Sequence, residues 1–289
     1  MILPRVSSGA LPLDLGTSSY AYIERPNPAI VSLLSKHVLA FKTHARVLDV
    51  GCGCGANARA FHERSPAVSV VGVEPNPRAA ELARLACDEV FHGTMEEWRA
   101  AATRPAPFDA LVLSDVLEHI VDPIGFIRSL QALEPVRDAL WIVSVPNYAV
   151  WYNRVATVLG LQEYRWSGLW DRTHLRFFTR RTAQQLLEYC GLSIIDEACT
   201  PSVVQSAAPT LRKWFEGELQ RGEHLAMSES RAYKLYRDWV EPFESRVCQI
   251  WPELLGFQHV CAARLGSQDR LRNHADSPGS ATSSGDDQT

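Results

Sequence analysis

Short, almost continuous apolar runs alternate with amphipathic segments along the chain from residue 46 onward. Such runs are typical of strands buried on both faces, whereas apolar residues three to four apart are typical of helices that cover a sheet. The pattern predicts seven strands, at 46–50, 68–74, 89–92, 108–113, 139–145, 192–197 and 257–265. Helices are predicted at 28–41, 56–64, 77–86, from 95, at 123–133 and at 180–189. This alternation predicts an α/β fold with a parallel sheet and helices on both faces.

Segments that break this rhythm divide the chain. We expect an N-terminal extension over 1–19 and one domain over 20–265. Within the domain, 146–179 is rich in aromatic residues and glycine, and 202–251 has the pattern of a helical insert before the last strand. The insert would be a lid over a cleft or the surface of a homodimer, and the sequence does not decide between them. The tail, 266–289, has almost no apolar residues, which predicts disorder.

Composition narrows the functional class only slightly. The 289 residues carry a formal charge of −4, which gives no electrostatic reason to expect a nucleic-acid partner. No apolar run approaches the ~20 residues that span a bilayer, and the start lacks the apolar core of a signal peptide. Seven scattered cysteines suit reduced thiols, so we expect a cytoplasmic protein. Cys52 and Cys54 are spaced C-x-C without a second pair, so we expect no metal site there.

The candidate chemistry begins at VLDVGCGCG, which follows the first predicted strand. Gly51 and Gly53, with Ala56, satisfy the loose dinucleotide pattern G-x-G-x-x-G/A, and Glu74 ends the second strand, where it can accept hydrogen bonds from ribose hydroxyls. Neither feature separates NAD from other cofactors that contain adenosine. Asp49 does separate them, because a carboxylate at this position would repel the pyrophosphate of NAD but can receive an ammonium group. An alternative for Asp49 is that it caps the turn, and for Glu74 that it is a solvated strand end.

At this point the sequence resembles the class I S-adenosylmethionine-dependent methyltransferases, through VLDVGCGCG, VVGVEPNP and DALVLSDVLEH. The segments VPNYAVWYNR and GLWDRTHLRFFT are similar to a bacterial subgroup near ubiquinone-type and surface-glycan methyltransferases. The resemblance spans roughly 20–265. It implies a Rossmann-like, mostly parallel seven-stranded sheet whose last strand is antiparallel. It also implies S-adenosyl-L-methionine as cofactor. We expect a small-molecule acceptor that is methylated at oxygen, and the sequence does not decide between oxygen, nitrogen and carbon.

The resemblance also implies which residues contact the cofactor. The methionine end would meet Asp49 and the turn formed by Gly51, Cys52, Gly53 and Gly55, and Glu74 would bind the ribose. The remaining contacts would line the adenosine or lie beside the bound cofactor: Pro75, Thr94, Met95, Ser114, Asp115, Val116 and His119. Thr94 departs from the family pattern, which has an acidic residue after glycine at this point. A surface helix start is an equally good explanation of Glu118 and His119.

The catalytic hypothesis concerns the segment after the fifth strand. Displacement at a sulfonium methyl requires alignment, and a hydroxyl acceptor gains from a nearby base. Asp171 and His174 are three residues apart, so we expect His174 to accept the acceptor's proton and Asp171 to orient the imidazole and favour its charged form. The alternative is a loop clip in which Asp171 caps the turn and pairs with Arg172 or Arg176. The aromatic residues around them would line the acceptor site or form the core of a lid.

Two further functions stay open on the sequence alone. One is an NAD-dependent oxidoreductase, which Asp49 and the lack of a recognisable second catalytic domain disfavour. The other is a non-catalytic partner subunit that binds S-adenosylmethionine without transferring its methyl group. Gly51, Gly53 and Glu74 are intact, which favours binding of S-adenosylmethionine by an enzyme and by a partner subunit alike. Their presence does not test whether the methyl group is transferred.

Overall fold

A seven-stranded sheet, in the order β3-β2-β1-β4-β5-β7-β6, forms the centre of the computed structural model, which describes residues 25–101, 105–164, 168–201 and 241–266. The strands are β1 Ala45–Val50, β2 Val68–Glu74, β3 Glu89–His92, β4 Ala110–Ser114, β5 Leu140–Pro146, β6 Leu192–Pro201 and β7 Gly256–Leu265. β1 to β5 pair in parallel, and β7 runs antiparallel to both β5 and β6. The predicted Rossmann-like sheet with an antiparallel last strand is therefore confirmed.

Nine α-helices accompany the sheet in the described part of the chain. They are α1 Pro28–Leu34, α2 Ala56–Arg64, α3 Pro77–Ala83, α4 Met95–Ala101, α5 Pro123–Gln131, α6 Trp151–Val158, α7 Arg180–Tyr189, α8 Glu241–Ile250 and α9 Pro252–Leu255. Three of them begin in the same way, with a side chain that accepts backbone N–H bonds followed by proline at the first helical position: Asn27-Pro28, Asn76-Pro77 and Asp122-Pro123. Proline fits there because its missing N–H would have had no helical partner.

The two faces of the sheet bury separate cores. Because side chains alternate along a strand, Val47 and Leu48 of β1 point to opposite sides. Leu48 packs in the cluster that includes residues of α4, α5 and α7, whereas Val47 packs with residues of α1, α2 and α3. Helices therefore cover both faces, as the continuous apolar strands predict.

Several boundaries differ from the predictions. The predicted helix 28–41 is α1 followed by a π-helical turn, Ser35–Leu39, and the helix predicted over 77–86 ends at Ala83. The stretch predicted as irregular contains α6. β6 continues to Pro201 because β7 pairs with it along that length, with Pro201 opposite Gly256. Long-range pairing of this kind has no local signal in the sequence.

Parts of the predicted organisation lie outside the described residues. These are the extension 1–19, nearly all of the tail 266–289, and 202–240 of the predicted insert. The remainder of that insert contains the helix α8. In the ranges that the structure describes, no helix is both long and apolar enough to cross a membrane.

Candidate active site at the carboxyl edge of the sheet

The sheet order places β1 and β4 side by side at the point where the chain reverses direction across the sheet. In open α/β sheets the crevice beyond the carboxyl ends of such strands binds ligands. The glycine turn after β1, Glu74 at the end of β2 and Ser114 at the end of β4 all lie at this edge. The fold therefore brings together the segments that the sequence singled out.

The turn after β1 has a conformation that favours glycine. Gly51, Gly53 and Gly55 have φ angles of 70°, 56° and 76°, all in the left-handed region. A Cβ atom on Gly51 would lie 2.8 Å from Cγ2 of Val116, so the turn and the loop after β4 approach closely. Cys52 is buried, and a hydrogen bond with Cys87 and burial raise the pKa of its thiol. Its side chain thus packs inward while its backbone forms the turn.

Glu74 organises the same turn from the neighbouring strand. It is only 3% exposed, and its carboxylate accepts hydrogen bonds from the Gly53 N–H at 2.9 Å and the Asn76 N–H at 2.8 Å. A carboxylate oxygen accepts more than one bond, so both ribose hydroxyls of a ligand can still be received. This geometry contradicts the alternative of a solvated strand end.

Asp49 is fully buried in β1, directly before the turn. Both of its carboxylate oxygens lack a hydrogen-bond partner among the described residues. Burial, and secondly the charge of Glu74, raise the pKa of Asp49 to about 7. A buried carboxylate of this kind is costly unless a positive group arrives. The geometry fits the ammonium group of an amino-acid ligand and gives no support to the alternative of a turn cap.

Two residues that are predicted to contact adenosine, Thr94 and Met95, follow the end of β3. Thr94 and Glu97 form a reciprocal cap at the start of α4: the Thr94 N–H donates to Glu97 at 2.7 Å and the Glu97 N–H donates to Thr94 Oγ1 at 3.3 Å. Met95 is buried and packs in the core. Pro75 follows Glu74 at the carboxyl end of β2. The adenosine contacts of Pro75, Thr94 and Met95 stay predictions.

The loop after β4 holds an unusual residue. Asp115 has a φ of 55°, the only positive φ of a residue other than glycine in the described ranges. Its carboxylate accepts a hydrogen bond from the Ser144 hydroxyl at 2.9 Å and one from the Gln258 side-chain amide. Burial raises the pKa of Asp115 to about 6, although both hydrogen bonds oppose the shift. A partly buried acid with a left-handed backbone at a cleft is typical of functional sites.

Beyond Asp115, the chain brings three potential ligand side chains together. Glu118, His119 and His174 each offer one ligand atom, and these atoms all lie within 4.8 Å of one another. Ring centroids of His119 and His174 are 4.9 Å apart. Backbone hydrogen bonds hold the two segments together: the N–H groups of Leu175 and Arg176 donate to the Glu118 carbonyl at 2.7 and 3.0 Å. The loop after α6 is thereby attached to the short 3₁₀ turn Leu117–His119.

Electrostatics in this cluster favour neutral side chains. Glu118 is 1% exposed, and neither carboxylate oxygen has a hydrogen-bond partner within the described part of the chain. Burial, with the charges of Asp115 and Asp171, raises the pKa of Glu118 well above its usual range. Burial lowers the pKa of His119, and burial together with His119 lowers the pKa of His174. Both imidazoles are therefore biased toward their neutral, electron-donating form.

Asp171 lies in this cluster but is arranged differently from the sequence-based expectation. Its Oδ1 accepts hydrogen bonds from the Thr173 N–H at 2.8 Å and the Thr173 hydroxyl at 2.6 Å. The His174 Nδ1 instead lies 3.2 Å from the Leu169 carbonyl oxygen. Asp171 favours the charged form of His174 only through space, and burial outweighs that effect. Asp171 therefore caps its own turn, as in the loop-clip alternative.

Aromatic side chains surround the loop that carries His174. Ring centroids of Tyr148 lie 5.2 Å from Trp170 and 4.7 Å from Phe177. The Trp170 indole N–H donates to Asn153 Oδ1 at 2.9 Å, which attaches the cluster to α6. Phe177 is 40% exposed, so part of this aromatic surface faces solvent.

Sequence reasoning missed three contributors to the site. Glu118 was equally well explained as a surface helix start, yet it is buried. Thr173 links Asp171 to His119, whose Nδ1 lies 3.1 Å from the Thr173 hydroxyl. Gln258 reaches Asp115 from β7. Only Glu118 had a signal in the sequence, the adjacent acid and imidazole of LEH. The roles of Thr173 and Gln258 depend on contacts between distant segments.

Comparison with known proteins gives the family. The family model described as "Methyltransferase domain" matches residues 21–197, more than half of the chain. The chain therefore belongs to the methyltransferase-domain family. The chain carries an S-adenosylmethionine-dependent methyltransferase domain, as its sequence resemblance implied, and this decides against the oxidoreductase alternative.

Curated relatives match over shorter stretches. A ubiquinone biosynthesis O-methyltransferase of Methylocella silvestris is 29% identical over 158 residues, which cover 53% of this chain and 59% of the relative. A ubiquinone biosynthesis O-methyltransferase of Azotobacter vinelandii is 34% identical over 123 residues, which cover 40% of this chain and 50% of the relative. The chain thus spans only about half the length of these relatives.

Solved structures support the fold. A proposed sarcosine dimethylglycine methyltransferase from Galdieria sulphuraria is similar with a TM-score of 0.51 at 13% identity, over 82% of this chain and 84% of that one. A small RNA methyltransferase has a TM-score of 0.50 at 16% identity, over 82% of this chain and 24% of that one. At these identities the likeness extends to the fold alone.

Proposed function

We propose that this methyltransferase transfers the methyl group of S-adenosylmethionine to a hydroxyl oxygen of a small aromatic acceptor. The observation that carries the proposal is the cluster of Glu118, His119 and His174 at the ligand-binding edge of the sheet. A hydroxyl is a weak nucleophile until its proton leaves, so an acid–imidazole cluster suits it. The curated relatives named above are O-methyltransferases, which supports the same atom.

The cofactor half of the site follows from the buried carboxylates. Asp49 would receive the ammonium group and Glu74 the ribose hydroxyls, while Gly53 would leave room for the ligand beside the backbone. Displacement at the methyl group then requires that the acceptor oxygen, the methyl carbon and the sulfur be in line. The protein supplies this alignment by holding both partners at one edge of the sheet.

The acceptor half is proposed from the aromatic cluster. Tyr148, Trp170 and Phe177 form a partly exposed surface on the segments that flank His174. Aromatic side chains stack on planar ligands in offset or edge-on arrangements, worth about 0.5–1.5 kcal/mol per pair beyond the buried area. A planar acceptor on this surface would bring a ring hydroxyl near His174. The alternative, in which these rings form only the core of a lid, predicts no loss of acceptor affinity on substitution.

A methyl-transfer assay tests the proposal. The full chain is incubated with methyl-labelled S-adenosylmethionine and dihydroxybenzoate, with the matched diaminobenzoate as the nitrogen probe, and products are identified by mass spectrometry. We expect transfer to a hydroxyl. Transfer to nitrogen alone would contradict the oxygen assignment. Binding of S-adenosylhomocysteine without transfer to either probe would favour the partner-subunit alternative.

Substitution of His174 tests the cluster itself. We expect His174→Ala to retain affinity for S-adenosylhomocysteine and to lose about 10²-fold or more in turnover. The matched control is His62→Ala, because His62 pairs with Asp88 through a half-exposed contact on another part of the surface. Normal turnover in His174→Ala, or an early melting transition, would contradict the assignment.

A further inference from the structure

Two thiols meet where α8 packs against β6, the strand at one edge of the sheet. The Sγ atoms of Cys199 and Cys248 lie 3.0 Å apart, although the residues are 49 positions apart in the sequence. Bonded sulfur atoms in a disulfide lie about 2.05 Å apart, so a movement of about 1 Å would join them. We propose that Cys199 and Cys248 form a reversible disulfide by exchange with a low-molecular-weight disulfide of the glutathione type.

The two sulfur atoms differ in their access to solvent. Cys199 is half-buried, whereas Cys248 is 1% exposed. An external disulfide therefore meets Cys199 first, and Cys248 reacts only from inside the protein. A reachable cysteine beside a second, resolving cysteine is the usual arrangement of thiols that are oxidised reversibly.

Regular secondary structure fixes the position of Cys199. Its backbone pairs with His259 of β7, and a Cβ atom on Gly256 would lie 3.0 Å from the Cβ of Cys199 and 2.7 Å from the Pro252 carbonyl oxygen. Glycine at 256 therefore leaves room for the Cys199 side chain between β7 and α9. Because Cys248 lies within α8, both thiols are carried by hydrogen-bonded elements and not by a loose loop.

The contact between the sulfur atoms also favours ionisation. Either sulfur can be the donor in this hydrogen bond, so one proton can serve both. The bond from Cys199 lowers the pKa of the Cys248 thiol, although burial and the charge of Glu244 oppose the shift. The same bond, together with burial, raises the pKa of Cys199. The pair thus loses its first proton more easily than an isolated thiol would, and the thiolate is the reactive form.

The exchange proceeds in two balanced steps. The Cys199 sulfur attacks one sulfur of the external disulfide, whose S–S bond breaks, and the first small thiol leaves with one proton of the pair. The Cys248 sulfur then attacks the Cys199 sulfur of this mixed disulfide, and the second small thiol leaves with the other proton. Two protein thiols are oxidised, and one external disulfide is reduced to two thiols.

A second thiol pair, Cys52 and Cys87, gives a comparison within the same fold. These thiols are also hydrogen-bonded to each other, and a Cβ atom on Gly72 would lie 2.6 and 3.2 Å from their sulfur atoms. Each residue is only 8% exposed, so an external disulfide has no half-exposed sulfur to attack. We therefore expect the reaction to select Cys199 and Cys248.

Redox titration of the full chain tests the proposal without cofactor or acceptor. The reduced protein is equilibrated with reduced and oxidised glutathione at a series of ratios, alkylated, and analysed by peptide mass spectrometry. We expect two of the seven thiols to disappear, one disulfide to join the peptides of Cys199 and Cys248, and dithiothreitol to restore both thiols. The oxidised chain should melt about 5 °C higher, because the bond closes a long loop of the unfolded chain.

Serine variants determine the order of the steps. Cys248→Ser should accumulate one glutathione on Cys199, Cys199→Ser should form neither the disulfide nor this adduct, and the control Cys87→Ser should oxidise as the unaltered chain does. Seven unreacted thiols in the most oxidising buffer, or a disulfide between other cysteines, would overturn the proposal. An adduct on Cys248 in Cys199→Ser would overturn the assignment of Cys199 as the entry point. If one variant melts early, the disulfide map of the unaltered chain still decides whether the bond forms.

Discussion

At the scale of single residues, the site is defined by buried or partly buried carboxylates that have different surroundings. Glu74 accepts two backbone N–H bonds, and Asp115 accepts bonds from two side chains. Asp49 and Glu118 have no such partner in the described ranges. Unpartnered buried charge is costly, so a fold retains it where a ligand supplies the partner. Asp49 and Glu118 are therefore the residues whose behaviour should change most when ligands bind.

Asp49 makes cofactor binding depend on pH. With a pKa of about 7, its carboxyl is protonated in the free protein at pH 6 and charged at pH 8. An ammonium group binds the charged form, so affinity for S-adenosylhomocysteine should rise about tenfold per pH unit up to about 7 and then level off. Calorimetry between pH 5.5 and 8.5 measures this. Asp49→Asn should bind more weakly at pH 8 and show no rise.

The same group predicts the sign of a stability effect. Its folded-state pKa lies above the usual 3.8, so the folded protein binds more protons than the unfolded chain between those values. Its contribution to the free energy of unfolding therefore falls as pH rises from about 4 to 7. Asp49→Asn should gain melting temperature relative to the unaltered protein over that interval. A constant difference would contradict the raised pKa.

At the scale of elements, the glycine turn joins β1 to the loop after β4. Gly51 and Gly160 have similar left-handed φ angles, 70° and 65°, but only Gly51 has a neighbour at the Cβ position, Val116. Comparing substitutions at Gly51 and Gly160 therefore separates the cost of backbone strain from the cost of the close approach between two segments. Strain alone costs an alanine about 1–2 kcal/mol.

Alanine at each position tests this difference. Gly160→Ala should lower the free energy of unfolding by about 1 kcal/mol and leave cofactor affinity unchanged. Gly51→Ala should cost more and weaken S-adenosylhomocysteine binding at least tenfold, because the turn must move away from Val116. Urea unfolding and calorimetry measure the two effects. Equal effects at both positions would remove the close approach from the explanation.

At the scale of the whole molecule, local patterns predicted the elements but not the contacts between them. The continuous apolar strands, such as 68–74, and the Asn-Pro helix starts carry their structure in adjacent residues. Asp49 and Glu74 were identified because a strand end fixes their place at the cleft. Gln258 and Thr173 were not, since their roles depend on which segments meet. The spacing of Asp171 and His174 predicted that they would pair. Instead, Thr173 donates its hydrogen bonds to the Asp171 carboxylate, and the His174 ring lies against the Leu169 carbonyl.

Gln258 shows how distant segments support the site. Its side-chain carbonyl accepts bonds from the Asn27 amide at 3.2 Å and the Thr200 hydroxyl at 3.0 Å, while its amide donates to Asp115. One side chain thus connects the start of α1, β6 and the loop after β4. A buried acceptor that loses its donor costs about 1–3 kcal/mol.

Gln258→Leu should therefore destabilise both the fold and the site. The matched control is Gln184→Leu, in which the same change removes one bond, from the amide to Glu197 at 2.6 Å. We expect Gln258→Leu to lower the free energy of unfolding by about 1–2 kcal/mol more than the control, since three bonds are lost instead of one. The pKa of Asp115 should rise above its value of about 6, because the amide bond that lowers it is gone. Urea unfolding measures the first effect, and carboxyl titration by NMR measures the second. If both variants unfold alike and the pKa of Asp115 does not move, Gln258 is not the connection between these segments.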